Sequence, residues 1–189
     1  MKANKVYPRA IIVYALYIVV LSQLQVTLPN WFSIFGSRPD LTLVLVILCG
    51  YLFGRADGAL VGLAAGFMRD MFAGRSLGLG MLLLLYAGLL SALVLRQSFH
   101  RNLVLSLLQV IWLTVLYELV VTGVIFLVPM LPDVTYEASY LYGLMLQRLP
   151  GQLGANVLVA VPLVLLLRFA GPYKRNSGFN DDETSYDEA

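Results

Sequence analysis

The chain has 189 residues, of which 59% are hydrophobic and 13% charged, with a mean hydropathy of +0.79. A water-soluble domain runs nearer half apolar and a quarter charged, so composition excludes an ordinary soluble globule. One cysteine, Cys49, and one histidine, His100, also exclude a disulfide framework, a Cys/His zinc site and a paired-histidine haem site built from this chain alone.

The basic N-terminus, with Lys2, Lys5 and Arg9, leads into an apolar run from Ala10 to Leu28. That run is long enough to cross a bilayer and no small-x-small cleavage site closes it, which predicts a retained first helix over 10–28. Pro8 falls near its first turn, where a missing amide is tolerated. The stretch from Pro39 to Phe72 is too long for one straight span of ~20 residues and short for two. Charge placement decides between them. If Arg55-Ala56-Asp57 is a turn, the chain has six spans, and one side collects Lys2, Lys5, Arg9, Arg55, Arg96, Arg101, Arg168, Lys174 and Arg175, while the other receives Arg38, Arg69, Arg75 and Arg148. A single helix would divide the remaining basic residues evenly and leave Arg55 in mid-membrane, at a cost of a few kcal/mol. The positive-inside rule therefore predicts two short spans, 39–54 and 57–73, and places both termini in the cytoplasm.

Further spans are predicted over 77–95, 103–128 and 150–169, the last opened by Pro150-Gly151 and kinked by Pro162. Between the last two lies an outer loop from Pro129 to Arg148, with Pro132, Asp133, Glu137 and tyrosines including Tyr136 and Tyr140, long enough for a lid or a docking surface. Tyr14, Tyr17, Trp31, Tyr136, Tyr140 and Tyr142 read as packing or interfacial anchors. Residues 171–189 carry a net −3 against +5 for the rest of the chain. Such an acidic, weakly apolar tail cannot offset its ordering entropy by burial and is expected to be disordered. The expected architecture is an all-α integral membrane protein, one six-helix transmembrane domain over 1–170 with a cytoplasmic tail.

Gly50, Gly54, Gly58, Gly62 and Gly66 recur at every fourth residue, which makes a bare stripe along one helix face on either side of the turn. A bare stripe permits close helix contact, either within the bundle or with a partner's helix. Periodicity does not separate these two readings. Pro39 and Asp40 read as a proline-defined helix start with an acid at the positive end of the dipole. Asp70 is placed to accept backbone amides at the start of the fourth helix, or to pair with Arg69 or Arg75. Glu118 lies fifteen residues past Leu103, well inside the fifth span, and Gln152 and Asn156 fall at a similar depth in the sixth. These three are either a relay or ligand site, or polar fasteners between helices.

Catalytic signatures are missing. There is no G-x-S-x-G, no serine with a companion histidine and aspartate in one outer loop, and no paired carboxylates on a shared face. No phosphate-cradling G-x-x-x-x-G-K-[ST] occurs, and Gly78-Leu79-Gly80 lacks the glycine that a dinucleotide site needs. Neither an enzyme, a cofactor nor a metal is expected, and the scattered basic residues give no nucleic-acid footprint.

Arg38-Pro39-Asp40-Leu41, the glycines spaced by four from Gly50, the segment Gly62-Leu63-Ala64-Ala65-Gly66-Phe67-Met68-Arg69-Asp70 and the turn Gly74-Arg75-Ser76-Leu77-Gly78 together resemble the core of the rod shape-determining protein family MreD. The resemblance is strongest over about residues 38 to 90 and does not extend to Glu118. It implies a multi-pass protein of the bacterial inner membrane, a non-enzymatic scaffold of the cell-elongation machinery. Its implied partners are MreC first, then MreB filaments and the peptidoglycan synthases RodA and its class B penicillin-binding partner; a homodimer is left open. It also implies a bundle similar to the substrate-binding S components of vitamin transporters, a likeness of fold that assigns no function. A small-molecule transporter component with a site near Glu118, Gln152 and Asn156 is therefore the alternative. Lipid gives no hydrophobic drive between helices, so a partner's single transmembrane helix must be recognised by close packing and a few polar contacts. The second and third helices, with the turn around Asp70, are accordingly expected to form the MreC docking face. The glycine stripe would supply the packing, and Asp40, Asp70 or Glu118 the polar contacts.

Overall fold

The computed structural model describes residues 8–29, 33, 36–73, 78–94, 103–127 and 137–173. Among these residues six helices follow in order: α1 Pro8–Thr27, α2 Leu41–Phe53, α3 Arg55–Ala73, α4 Leu79–Val94, α5 Leu103–Leu127 and α6 Ala138–Phe169. Three of them, α1, α5 and α6, are long and apolar enough to cross a membrane. The two short helices α2 and α4 are apolar as well.

The centre of the molecule is α2. Every residue from Leu41 to Leu52 is buried, and the helix packs against each of the other five. An apolar surface on all sides has no use on a helix with one exposed face, so a short, uniformly apolar segment is driven to the middle of the bundle. At 1.5 Å per residue its 13 residues span only about 20 Å, less than a hydrocarbon core of about 30 Å. Its neighbours, not lipid, supply most of its surroundings.

The break between α2 and α3 falls at Gly54, one residue before the expected Arg55-Ala56-Asp57 knot, which forms the first turn of α3. Gly54 has φ +111°, a conformation that side-chain-bearing L residues rarely adopt, and its amide still donates to the Gly50 carbonyl at 3.1 Å. Its own carbonyl accepts from the Gly58 amide at 2.9 Å. The chain thus reverses with both flanking helix ends hydrogen-bonded and only one residue spent on the turn.

The expected sixth element is corrected at its start. Pro150 and Gly151 do not open α6 but lie inside it, because the helix begins at Ala138 and runs 32 residues through both Pro150 and Pro162. A proline removes one amide and strains the preceding turn without forbidding continuation where tertiary packing holds the rest. The outer loop expected to reach Arg148 is therefore helical from 138 onward, while its first part, with Pro129 to Tyr136, lies outside the described residues. So do the basic residues at 2 and 5, Arg75, and residues 174–189 of the acidic tail.

The start of α1 and the end of α6 meet at the same end of the bundle as Gly54. Tyr14 stacks edge-on to Phe53 with ring centroids 6.2 Å apart, and Phe53 meets Tyr173 at 5.7 Å. Tyr173 also donates its hydroxyl to Asp57 at 3.0 Å. The opposite end gathers the end of α1, the start of α2 and the end of α3, and that is where most buried polar groups meet.

Candidate functional site

Asp40 organises this polar end. As the residue before α2 it caps the helix, its Oδ1 accepting the Leu43 amide at 3.0 Å and the Thr42 hydroxyl at 2.9 Å. Its Oδ2 accepts from Arg69 Nη1 at 2.8 Å, which ties the start of α2 to the last turn of α3. Its own amide donates to Asn156 Oδ1 of α6 at 2.7 Å, and Asn156 Nδ2 donates onward to Thr114 Oγ1 of α5 at 3.1 Å. Gln25 closes the ring from α1: it accepts the Leu41 amide at 2.7 Å and donates to the Pro39 carbonyl at 3.0 Å. Asp40 therefore joins four helices, α2 and α3 through its carboxylate and α6, then α5, through its backbone amide and Asn156. The free amides at the start of α2, which lipid could not satisfy, are the reason that so many polar side chains converge there.

Arg69 also lies over the Tyr117 ring, 5.6 Å from its centroid, so the guanidinium is held by a carboxylate on one side and a π-face on the other. The sequence offered Arg69 as a partner for neighbouring Asp70; the fold gives it to Asp40. Adjacent residues on a helix point about 100° apart, and only one of the two can face α2.

Asp70 is spent on the next helix. Its Oδ2 accepts the Gly78 amide at 2.8 Å and the Met81 amide at 3.2 Å, and its Oδ1 accepts Gly80 at 3.0 Å. Three of the unpaired amides that every helix start carries are thus satisfied by one carboxylate from α3, across a turn whose Gly78 takes φ +124°. Of the two roles the sequence left open for Asp70, this is the amide-accepting one.

The glycine stripe faces inward. A Cβ on Gly58 would stand 2.6 Å from the Gly88 carbonyl oxygen of α4 and 2.7 Å from the Gly50 Cα of α2, and one on Gly66 would stand 2.5 Å from Met81 Cα. Gly50 and Gly62 likewise press on backbone atoms of Gly88 and Leu84. Gly54 is the turn itself. The surface expected to meet a partner's helix is consumed by α4 of the same chain, with Gly88 as an unpredicted fifth glycine where α2, α3 and α4 meet. Nothing in a four-residue period says which helix will fill the stripe. Small residues in the facing helix were the available signal, and Ala87, Gly88, Ser91 and Ala92 in α4 were it. Ser91 completes the seam by donating to the Ile47 carbonyl, and Gln109 of α5 donates to the Ser91 carbonyl at 3.1 Å.

The three polar residues Glu118, Gln152 and Asn156 differ in burial and in partners. Asn156 is fully buried and committed to Asp40 and Thr114. Glu118 is half-buried on α5, one turn beyond Thr114, within electrostatic range of Asp40, Arg69 and Arg148. Gln152 is half-buried one turn before Asn156. Sequence reasoning missed Gln25, Thr42 and Ser22, which complete the site from α1 and α2. Single polar residues near helix ends carry no pattern of their own.

No cluster of three or more metal-ligating side chains occurs among the described residues. No curated protein and no solved structure matches the chain, so the expected likeness to S components carries no argument. The family comparison is positive and covers most of the sequence, including every residue of the Asp40 network and the glycine seam. The model for the rod shape-determining protein MreD matches residues 6–169 of the 189, and the chain belongs to that family.

Proposed function

We propose that the chain is a non-enzymatic inner-membrane scaffold of the bacterial rod complex. It binds MreC and helps to couple MreB filaments to RodA and its class B penicillin-binding partner, with six spans and both termini in the cytoplasm. Membership of a rod shape-determining family supports the setting, and the two-sided character of α3 carries the reading. Gly58, Gly62 and Gly66 close one side of α3 against α4. The other side presents Leu60, Leu63, Phe67 and Met71 as an exposed ridge at spacings of three and four. The docking face therefore moves from the bare side of the hairpin to the bulky side. Asp40–Arg69 and the Asp70 cap hold the end of that ridge at a fixed angle to the bundle. A rigid ridge costs a partner helix less ordering than a mobile one, which matters where association gains nothing from burying apolar surface away from water.

The experiment is site-directed photocrosslinking in membranes from positions 63 and 67, with buried position 44 as control. Crosslinks to MreC from the ridge and none from the control are expected. Crosslinks between two copies of this chain would assign the ridge to a homodimer. Undiminished copurification of MreC with a folded Leu63→Ala/Phe67→Ala protein would remove the ridge from the interface. A saturable small-molecule ligand lost in Glu118→Gln would favour the transporter reading instead.

A further inference from the structure

A groove of about 180 Å³ opens between the last turns of α1 and α3, lined by Ser22, Gln25, Val26, Thr42, Arg69 and Phe72. The Ser22 side chain is 2% exposed, yet its Oγ finds no hydrogen-bond partner among the described residues. An orphaned buried hydroxyl costs about 1–3 kcal/mol unless something arrives to pair with it. Arg69 is the second incomplete group. Its side chain is 37% exposed, and of the five N–H donors that a guanidinium carries only one, on Nη1, is engaged among the described residues, by Asp40. Gln25 uses one amide hydrogen on Pro39, and the other has no acceptor among the described residues. The groove is thus rich in unused donors, while Asp40 already cancels its net charge.

Its position narrows the occupant. Ser22, Gln25 and Val26 lie in the last two turns of α1, and Arg69 and Phe72 near the end of α3, so on the six-span reading proposed above the groove sits where apolar helix surface gives way to the polar boundary of a bilayer. Val26 and Phe72 at its rim are exposed, as are Leu24 and Met71 beside them. Unpaired donors beside an exposed apolar rim match a molecule with an oxyanion head and an acyl body.

We propose that this groove binds the phosphate of a membrane phospholipid, with the free edge of the Arg69 guanidinium and the Ser22 hydroxyl donating to its oxygens and the acyl chains lying along Val26 and Phe72. Guanidinium and phosphate match as a planar fork to two oxygens, which an ammonium cannot reproduce. The bound headgroup supplies the partner that Ser22 lacks.

The test uses the detergent-purified full chain and native mass spectrometry with three probes: a palmitoyl-oleoyl phosphatidylglycerol, the matching diacylglycerol without phosphate, and inorganic phosphate. One phosphatidylglycerol retained per chain is expected, with the diacylglycerol and the free phosphate held at least tenfold more weakly. Ser22→Ala and Arg69→Lys are each expected to weaken phosphatidylglycerol about tenfold and leave the diacylglycerol unchanged. Ser22→Ala, which leaves the Asp40 pair intact, decides the matter if Arg69→Lys does not fold. Equal retention of diacylglycerol, tight inorganic phosphate, undiminished lipid in a folded Ser22→Ala protein, or a copurifying polypeptide crosslinked to position 22 in place of lipid would each overturn the proposal. The measurement needs no partner protein, so its outcome is independent of the ridge on α3.

Discussion

Replacing Gly58 by alanine adds one methyl group at the point where α2, α3 and α4 meet. The new carbon would stand 2.6 Å from the Gly88 oxygen and 2.7 Å from the Gly50 Cα, against an ordinary contact distance of at least 3.4 Å. Relief therefore needs a movement of about 0.7–0.8 Å away from two different helices, and both obstacles are backbone, which no rotamer change can shift. Overpacking of this kind costs about 1–3 kcal/mol, and the fixed obstacles put Gly58→Ala near the upper end. Alanine returns at most about 1 kcal/mol of helix propensity, leaving a net loss of about 2 kcal/mol. Gly123→Ala is the control, because nothing lies within 4 Å of its would-be Cβ and the propensity gain stands alone. Reversible unfolding in mixed detergent and dodecyl sulfate micelles, followed by circular dichroism, should separate the two variants by about 3 kcal/mol. Stabilities within about 1 kcal/mol of each other would refute the inward-facing seam, and with it the placement of α4 over the glycines.

Asp70→Ala removes the acceptor for three amides at the start of α4 and should cost about 2 kcal/mol in the same assay, at the upper end of a capping loss; a change under 0.5 kcal/mol would mean that water replaces the carboxylate at no cost. Asn156→Ala strands the Asp40 amide in a fully buried place and is expected to cost about 1–3 kcal/mol, with Asn156→Ala and Thr114→Ala less than additive in a double-mutant cycle, since both act through one hydrogen bond. Tyr173 lies beyond the end of α6, where burial and then the Asp57 carboxylate push its phenol up to about 12. A folded-state value above the unfolded one of about 10 means that the folded chain holds this proton more tightly. The Tyr173–Asp57 contact is therefore fully stabilising below about pH 10 and lost as the pH rises through about 12. An ultraviolet titration difference between the native chain and Tyr173→Phe should show its midpoint near 12; a midpoint near 10 would show the contact absent in solution.

Much of this molecule was legible in its residues. Blocks of apolar sequence and the distribution of arginine and lysine predicted the helices and the reversal near residue 54, because burial of backbone amides in an apolar medium leaves a chain few choices besides helix. Pro39-Asp40 announced a helix start, and the hydrogen bond from the Leu43 amide to Asp40 bears that out. Asp70 was legible as a residue for the next helix start because it sits eight residues before Gly78 and so within reach of its amides. What only the tertiary structure decided was which surfaces meet. A glycine period states that something approaches closely but not what, and α4 is the answer because Gly88 lets its backbone reach Gly58. The pairing of Arg69 with Asp40, 29 residues away, and the gathering of Gln25, Thr114 and Asn156 around the backbone at the start of α2 depend on helix rotation and register, which follow from the sum of all contacts and not from any local pattern. The start of α6 at Ala138 belongs to the same class, since Pro150-Gly151 read locally as a boundary while packing along a long helix kept the backbone continuous.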